Sequence, residues 1–149
     1  MVVASSLSPE NVAQAVEHGA PSLAKRVDAL NKLQQHGWRI GLRFDPIVWH
    51  AEYQESYQTM LELVSSKLDA NKIDSITLGG FRLPKGFYKT MHKLYPEHWL
   101  FSAGLSEVQG MIAYRPEIEA EVFEYVSQQC LNFIDQSKLF CYPSKEITL

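Results

Sequence analysis

The order of segments along the chain constrains its fold more than any single motif does. Residues 2–9 begin with a short apolar run, an amphipathic stretch follows, residues 38–49 are again largely apolar, and a second amphipathic stretch comes next. This order predicts strand, helix, strand, helix, an arrangement in which both strands lie parallel in one sheet. The carboxyl ends of the two strands, at residues 5–6 and 45–47, then meet at the sheet edge where α/β folds bind small molecules.

The rest of the chain continues this alternation. Hydrophobic spacing, proline and glycine positions predict helices at 9–16, 22–36, 53–68, 86–94 and from 116 to about 133. Strands are predicted at 38–44, with Pro46 as a boundary, and at 75–78. Residues 112–114 read as a short strand or turn, 139–142 as a strand or an extended strap, and 82–84 as a loop. The fold class is therefore α/β, with mainly parallel strands alternating with helices.

Composition favours one globular domain over residues 1–149, with β/α units in 1–115 and a terminal helix and tail in 116–149. Apolar residues make up 46% of the chain and charged residues 21%, which is typical of a folded domain. No segment approaches the roughly 20 apolar residues that cross a bilayer, and no secretory signal is recognisable. We therefore expect no membrane partner and a cytoplasmic location. The formal net charge of −3 provides no long-range attraction for nucleic acid.

The two cysteines and a lysine repeat both favour structural interpretations. Cys130 and Cys141 are too far apart for a Cys-x-x-Cys site, so neither a zinc nor an iron–sulfur site is predicted from them alone. We expect two reduced, mostly buried thiols. Lys85, Lys89 and Lys93 recur every four residues, and a solvated helix face is favoured over a DNA contact.

The early start of the sheet bears on whether the chain is complete. Parallel sheets are usually covered on both faces, and a sheet that begins at residue 2 has no preceding helix to cover one of them. This favours a fragment of something longer. A self-contained small α/β domain stays open as the alternative.

Several runs of sequence together resemble one known family. They lie at residues 6–12, 16–29, 36–50 and 55–57, including Asp-Pro-Ile-Val-Trp-His at 45–50, with further similarity at residues 76–77, at Arg82, at residues 93–96 and in the last helix after residues 113–114. In order and spacing they are similar to the C-terminal half of spore photoproduct lyase and its relatives in the radical S-adenosylmethionine superfamily. The resemblance implies the C-terminal part of a partial (β/α)6 TIM-like barrel.

The resemblance also implies a cofactor and a partner. In the family, an N-terminal half carries a Cys-x-x-x-Cys-x-x-Cys loop that holds a four-iron, four-sulfur cluster, and the cluster cleaves S-adenosylmethionine to a radical that repairs a thymine dimer in DNA. That cysteine loop does not occur in this sequence. We therefore expect no activity from the chain alone. The implied partners are a cluster-bearing N-terminal half, in the same or another chain, and damaged DNA bound by the parent enzyme.

The resemblance assigns three binding residues and no catalytic or metal-ligating residue. Ser6 matches a serine near the ribose of S-adenosylmethionine, while Pro46 and Ile47 match a segment that holds the adenine. Asp45 replaces an alanine of that segment. Structural interpretations compete: Ser6 is equally a helix-entry cap, Pro46 and Ile47 pack a strand end, and His50, which also has a counterpart, is more often structural.

The substrate is less constrained than the cofactor. Lesion-binding members carry an Arg-Tyr pair on a hairpin before the last helix, and this pair falls near Val108 and Gln109, where neither residue is kept. The competing hypothesis is a non-catalytic ligand-binding or protein-interaction domain that uses the edge at Ser6 and Pro46. A hydrolase is disfavoured because no Gly-x-Ser-x-Gly turn exposes a serine.

Overall fold

The computed structural model describes residues 2–16, 19, 21–96 and 104–144. The strands are β1 (Val2–Ser6), β2 (Arg39–Ile47), β3 (Ile73–Gly80), β4 (Arg82–Pro84), β5 (Leu105–Val108), β6 (Met111–Tyr114) and β7 (Leu139–Tyr142). The helices are α1 (Glu10–Val16), α2 (Leu23–Gln35), α3 (Tyr53–Lys67), α4 (Lys85–Leu94) and α5 (Pro116–Leu131), with short 3₁₀ turns at Ala70–Lys72 and Gln136–Lys138. None of these helices is long and apolar enough to cross a membrane.

The main sheet is parallel throughout and has the order β1-β2-β3-β7. Helices separate its strands in sequence, so the predicted α/β alternation is confirmed. The segment at 139–142 is a strand, β7, and it pairs with β3. A second sheet of order β4-β6-β5 is antiparallel and follows the carboxyl end of β3.

Local signals in the sequence set the ends of the main helices. Ser22 caps α2 by accepting a hydrogen bond from the amide of Lys25. Gly37, with φ of 88°, terminates the same helix in the left-handed region that glycine adopts readily. Pro116 begins α5, and Glu117 in its first turn complements the helix dipole.

The hydrophobic core lies between one face of the main sheet and helices α2, α3 and α5. Alternate residues of β2, namely Ile40, Leu42 and Phe44, are each at most 1% exposed and point into this core. The intervening residues of β2 point to the opposite face, because side chains alternate along a strand. The described helices that enclose the core therefore do not cover the opposite face of the sheet, on which Arg43 and the other intervening residues of β2 lie.

Three expectations from the sequence are wrong. Pro46 does not bound the second strand: β2 continues to Ile47, across a cis Asp45–Pro46 bond. The register between β2 and β3 shifts between Phe44 and Ile47, so that the proline, which has no N–H, is not required to donate a bond to β3. Residues 82–84 form strand β4 rather than a loop, since their backbone pairs with β6.

The third correction concerns the thiols. Both cysteines are free, as expected, but only Cys130 is buried. Cys141 is exposed because it lies on the edge strand β7, where its thiol contacts the hydroxyl of Ser127 at 3.5 Å.

Candidate ligand-binding face of the parallel sheet

The sheet face that points away from α2, α3 and α5 is rich in polar and aromatic side chains. We call it the open face. Strand alternation and register assign to it Val2, Ala4, Ser6, Arg39, Gly41, Arg43, Asp45, Ser75, Thr77, Gly79, Phe140 and Tyr142. Phe140 and Tyr142 are 44% and 47% exposed. Parallel sheets ordinarily bury apolar residues on both faces, so this composition marks the open face as the candidate site.

Four open-face residues stand in one row across the sheet. The register pairs Ser6 with Arg43, Arg43 with Thr77, and Thr77 with Phe140. Neighbouring strands are roughly 4.8 Å apart, so a hydroxyl, a guanidinium, a second hydroxyl and a phenyl ring follow one another at that spacing. We call these four residues the Arg43 row. Hydroxyls bind sugar hydroxyls, a guanidinium binds anionic oxygens, and an aromatic ring stacks on flat ring systems.

The three residues predicted from the sequence lie together at the carboxyl edge of β1 and β2. Ser6 is exposed, and its carbonyl accepts a hydrogen bond from Arg26 Nη1 at 3.3 Å. The next amide, of Leu7, donates to the carbonyl of Arg43 at 3.0 Å, which fixes the two strand ends side by side. Pro46 is exposed, whereas Ile47 is 2% exposed and packs in the core. Ile47 stands in register with Gly80 at the end of β3.

Close approaches occur at the end of β3, where the sequence has two glycines. The Asp45 carboxylate lies so close to Gly79 that an added Cβ would clash with it. At Gly80, a Cβ would meet the amide nitrogen of Ser144 at 2.6 Å and Glu119 Oε2 at 2.9 Å. Gly80 therefore requires glycine because the main chain of Ser144 occupies the space that a side chain would need, whereas a side chain at position 79 would require the exposed Asp45 carboxylate to move.

A buried carboxylate holds the segment after β7 at this edge. Glu119 is 5% exposed and accepts hydrogen bonds from the Ser144 amide at 3.1 Å and the Ser144 hydroxyl at 2.6 Å. Its place in the first turn of α5 also puts it at the positive end of the helix dipole. The only sequence signal was an acid near a helix start, which does not reveal a partner 25 residues away.

Two tyrosine hydroxyls fix the loop that follows β2. Tyr57 accepts a hydrogen bond from the amide of Val48, and Tyr114 accepts one from the amide of Trp49, each at 2.9 Å. Burial raises the pKa of both phenols, so they stay protonated. The loop therefore keeps a defined path beside the candidate site.

His50 lies in the same loop and is buried. Its Nδ1 accepts a hydrogen bond from the Glu52 amide at 3.3 Å. Burial lowers the pKa of His50, and the nearby Glu52 carboxylate offsets part of that effect. The neutral imidazole therefore contributes to the loop structure at neutral pH.

The described residues do not provide a metal or iron–sulfur site. Within them, no three His, Cys, Asp or Glu side chains are grouped so as to hold a metal ion. Burial raises the pKa of the Cys130 thiol to about 12, which disfavours the thiolate that a cluster needs.

Comparison with known proteins identifies a family and several solved structures that are similar to this chain. A family model described as spore photoproduct lyase matches residues 3–103. Among solved structures, a double mutant of spore photoproduct lyase with bound AdoMet and dinucleoside spore photoproduct superposes with a TM-score of 0.74 and 18% identity, covering 96% of this chain. A single mutant with dinucleoside spore photoproduct gives a TM-score of 0.71 and 19% identity, covering 94% of this chain. The chain spans 44% of the length of each. No curated protein matches significantly.

Proposed function

The chain belongs to the spore photoproduct lyase family, and we propose that it forms the C-terminal part of an S-adenosylmethionine-dependent barrel that resembles spore photoproduct lyase. One observation carries the proposal: among the described residues, helices cover one face of the parallel sheet, and the opposite face presents polar and aromatic side chains. Barrels of parallel strands have helices outside and side chains inside. The open face would then be part of the interior wall of the complete barrel.

The residues at the carboxyl edge fit S-adenosylmethionine. The Ser6 hydroxyl is exposed and would bind the ribose hydroxyls, while Arg26 holds the Ser6 main chain in place. The Pro46 ring and the Ile47 main chain would border the adenine. When bound and reductively cleaved, S-adenosylmethionine supplies a 5′-deoxyadenosyl radical. The part proposed for this chain is to bind and orient the cofactor.

The iron–sulfur cluster would come from a partner. The described residues offer no ligands for it, so a cluster-bearing N-terminal half, in the same or another chain, would supply it, and the chain alone would be inactive. β1 is the natural contact, because it is an edge strand of the described sheet and its backbone can pair with a further parallel strand.

We propose damaged DNA as the substrate of the complete enzyme. Its lesion would be recognised by side chains other than the Arg-Tyr pair of the family's lesion-binding members. β5 and β6 form a hairpin whose turn contains Gln109 and Gly110, both with positive φ. The position of the family's Arg-Tyr pair falls near Val108 and Gln109 at this turn. A hairpin is therefore present without the two side chains that would act beside the lesion. We also propose a cytoplasmic location, where the enzyme would have access to DNA in a cell without a nucleus.

The test is the affinity of the native assembly for S-adenosylmethionine, purified anaerobically with whatever cluster-bearing half accompanies the chain. Ser6→Ala should weaken binding about two- to tenfold, the effect of losing one hydrogen bond of about 0.5 to 1.5 kcal/mol. Ser5→Ala is the matched control, because Ser5 lies on the opposite face of β1. Equal affinities in all three proteins would remove Ser6 from the cofactor site.

A second candidate is a self-contained binding domain, which the closed core favours. The core between the main sheet and α2, α3 and α5 is formed entirely by residues of this chain. Such a domain would be monomeric, unfold in one cooperative transition and purify from native cells without iron. The absence of iron in the native preparation would therefore favour this candidate.

A further inference from the structure

Arg43 occupies an unusual position for an arginine. Its neighbours in β2, Leu42 and Phe44, are buried in the core, whereas Arg43 is exposed on the open face. It lies in an interior strand of the described sheet, between Ser6 of β1 and Thr77 of β3. A guanidinium is thus displayed from the middle of a parallel sheet, where valine, isoleucine and leucine are usual.

If another part of the complete protein covers the open face, burial of the Arg43 guanidinium costs free energy unless an anion binds to it. A buried, unpaired charge is destabilising because it loses its hydration without receiving a partner. The same face, if it belongs to the interior of a barrel, is covered in the complete protein. The arginine therefore needs an oxyanion partner on that face.

The described part of the chain does not supply that partner. Arg39, on the same face of β2, forms an ion pair with Asp74 at 3.5 Å. Within the described residues, Arg43 forms no comparable pair. Asp45 is the nearest acid along the strand, but its carboxylate lies against Gly79 on the neighbouring strand. The Arg43 guanidinium is thus available to a ligand.

We propose that Arg43, together with the hydroxyls of Ser6 and Thr77, forms an oxyanion-binding site on the open face. A guanidinium donates two parallel hydrogen bonds to a carboxylate or a phosphate, and the flanking hydroxyls donate to the remaining oxygens. The Ser6 oxygen can at the same time accept a hydrogen bond from a ribose hydroxyl. Phe140 closes the row with an aromatic ring for the adjoining part of the ligand. The choice of ligand rests on the proposed function: the oxyanion is either the carboxylate of S-adenosylmethionine or a phosphate of the nucleic-acid substrate.

The experiment is an NMR titration of the isotope-labelled chain with inorganic phosphate, S-adenosylmethionine, and a thymidine dinucleotide. We expect the amide signals of Ser6, Arg43 and Thr77 to shift together on addition of the ligand. Arg43→Gln should weaken that binding about tenfold or more, because it removes charge-assisted hydrogen bonds. Arg39→Gln is the matched control, since it removes an exposed arginine from the same face of the same strand, and it should leave the affinity unchanged.

Two neutralised ligands distinguish the sources of the oxyanion. If the carboxylate is bound, Arg43→Gln should weaken the binding of S-adenosylmethionine but not the binding of its decarboxylated analogue. If the phosphate is bound, Arg43→Gln should weaken the binding of the dinucleotide but not the binding of its methylphosphonate analogue.

Ligand binding that is equal in wild type and Arg43→Gln would overturn the site while leaving the proposed function intact. Phosphate binding that depends on Arg43, without Arg43-dependent binding of either larger ligand, would support the oxyanion site and overturn the assignment of its ligand. No shift with any of the probes would overturn the site.

Discussion

At the scale of single residues, the candidate site combines groups that the sequence could reveal with groups that it could not. The strand pattern predicts that Ser6 and Pro46 lie near one edge, because strand ends of parallel sheets meet there. Their role as binding residues comes from the family resemblance and stays a prediction. The exposed row around Arg43 was not predictable, because it depends on the register between β1, β2, β3 and β7. Register is set by packing over the whole sheet and has no signature within one strand.

His50 provides a residue-scale prediction of pH dependence. Burial lowers its pKa below 6.5 in the folded chain, so the unfolded chain binds a proton that the folded chain rejects. Stability from this residue is therefore fully present above pH 6.5 and is lost as the pH falls from there to the folded pKa. The free energy of unfolding of wild type, measured with urea from pH 8 to pH 5, should fall more than that of His50→Gln.

The control for that measurement is His36→Gln, which removes an exposed histidine at the end of α2. Its pH profile should follow wild type more closely than the profile of His50→Gln does. Parallel profiles for wild type and His50→Gln would show that the His50 pKa is not lowered by folding.

At the scale of elements, the sequence predicts correctly the elements that depend on nearby residues and not those that depend on residues far apart in the chain. Helix α2 was predictable because Ser22 and Gly37 act within one turn of its ends. Strand β4 was not, because Arg82–Pro84 becomes a strand only by pairing with β6, about thirty residues later. Pro46 was misleading for the same reason: whether a proline ends a strand depends on whether a neighbouring strand requires its missing N–H.

The junction between β3 and the segment after β7 yields an element-scale prediction. Gly80→Ala should destabilise the fold by about 1–3 kcal/mol, because its Cβ would overlap the main chain of Ser144 and the carboxylate of Glu119. Gly41→Ala should cost less, since the nearest atoms to its Cβ, on Ser75 and Val2, are 3.6 Å away. Urea denaturation of both variants measures the difference. Equal stabilities would mean that Ser144 and Glu119 do not pack against β3 in solution.

At the scale of the whole molecule, the chain combines a closed core on one side of the sheet with an open face on the other. The core accounts for a folded unit, and in the proposed half-barrel the edge strand β1 and the open face would contact the remainder of the barrel. The strand–helix order of the sequence predicts the parallel sheet itself. It did not reveal which side chains line the open face, since that depends on the pairing of strands far apart in the chain.

The most direct test of the proposed half-barrel is reductive cleavage of S-adenosylmethionine by the native protein, purified anaerobically and compared with the isolated 149-residue chain. Intact mass and iron content are determined on the same samples. The proposal predicts that the native protein contains this chain joined to or bound by a cluster-bearing half, contains iron, and releases 5′-deoxyadenosine, whereas the isolated chain does none of these. A native protein that consists of this chain alone, without iron and without 5′-deoxyadenosine formation, would contradict it.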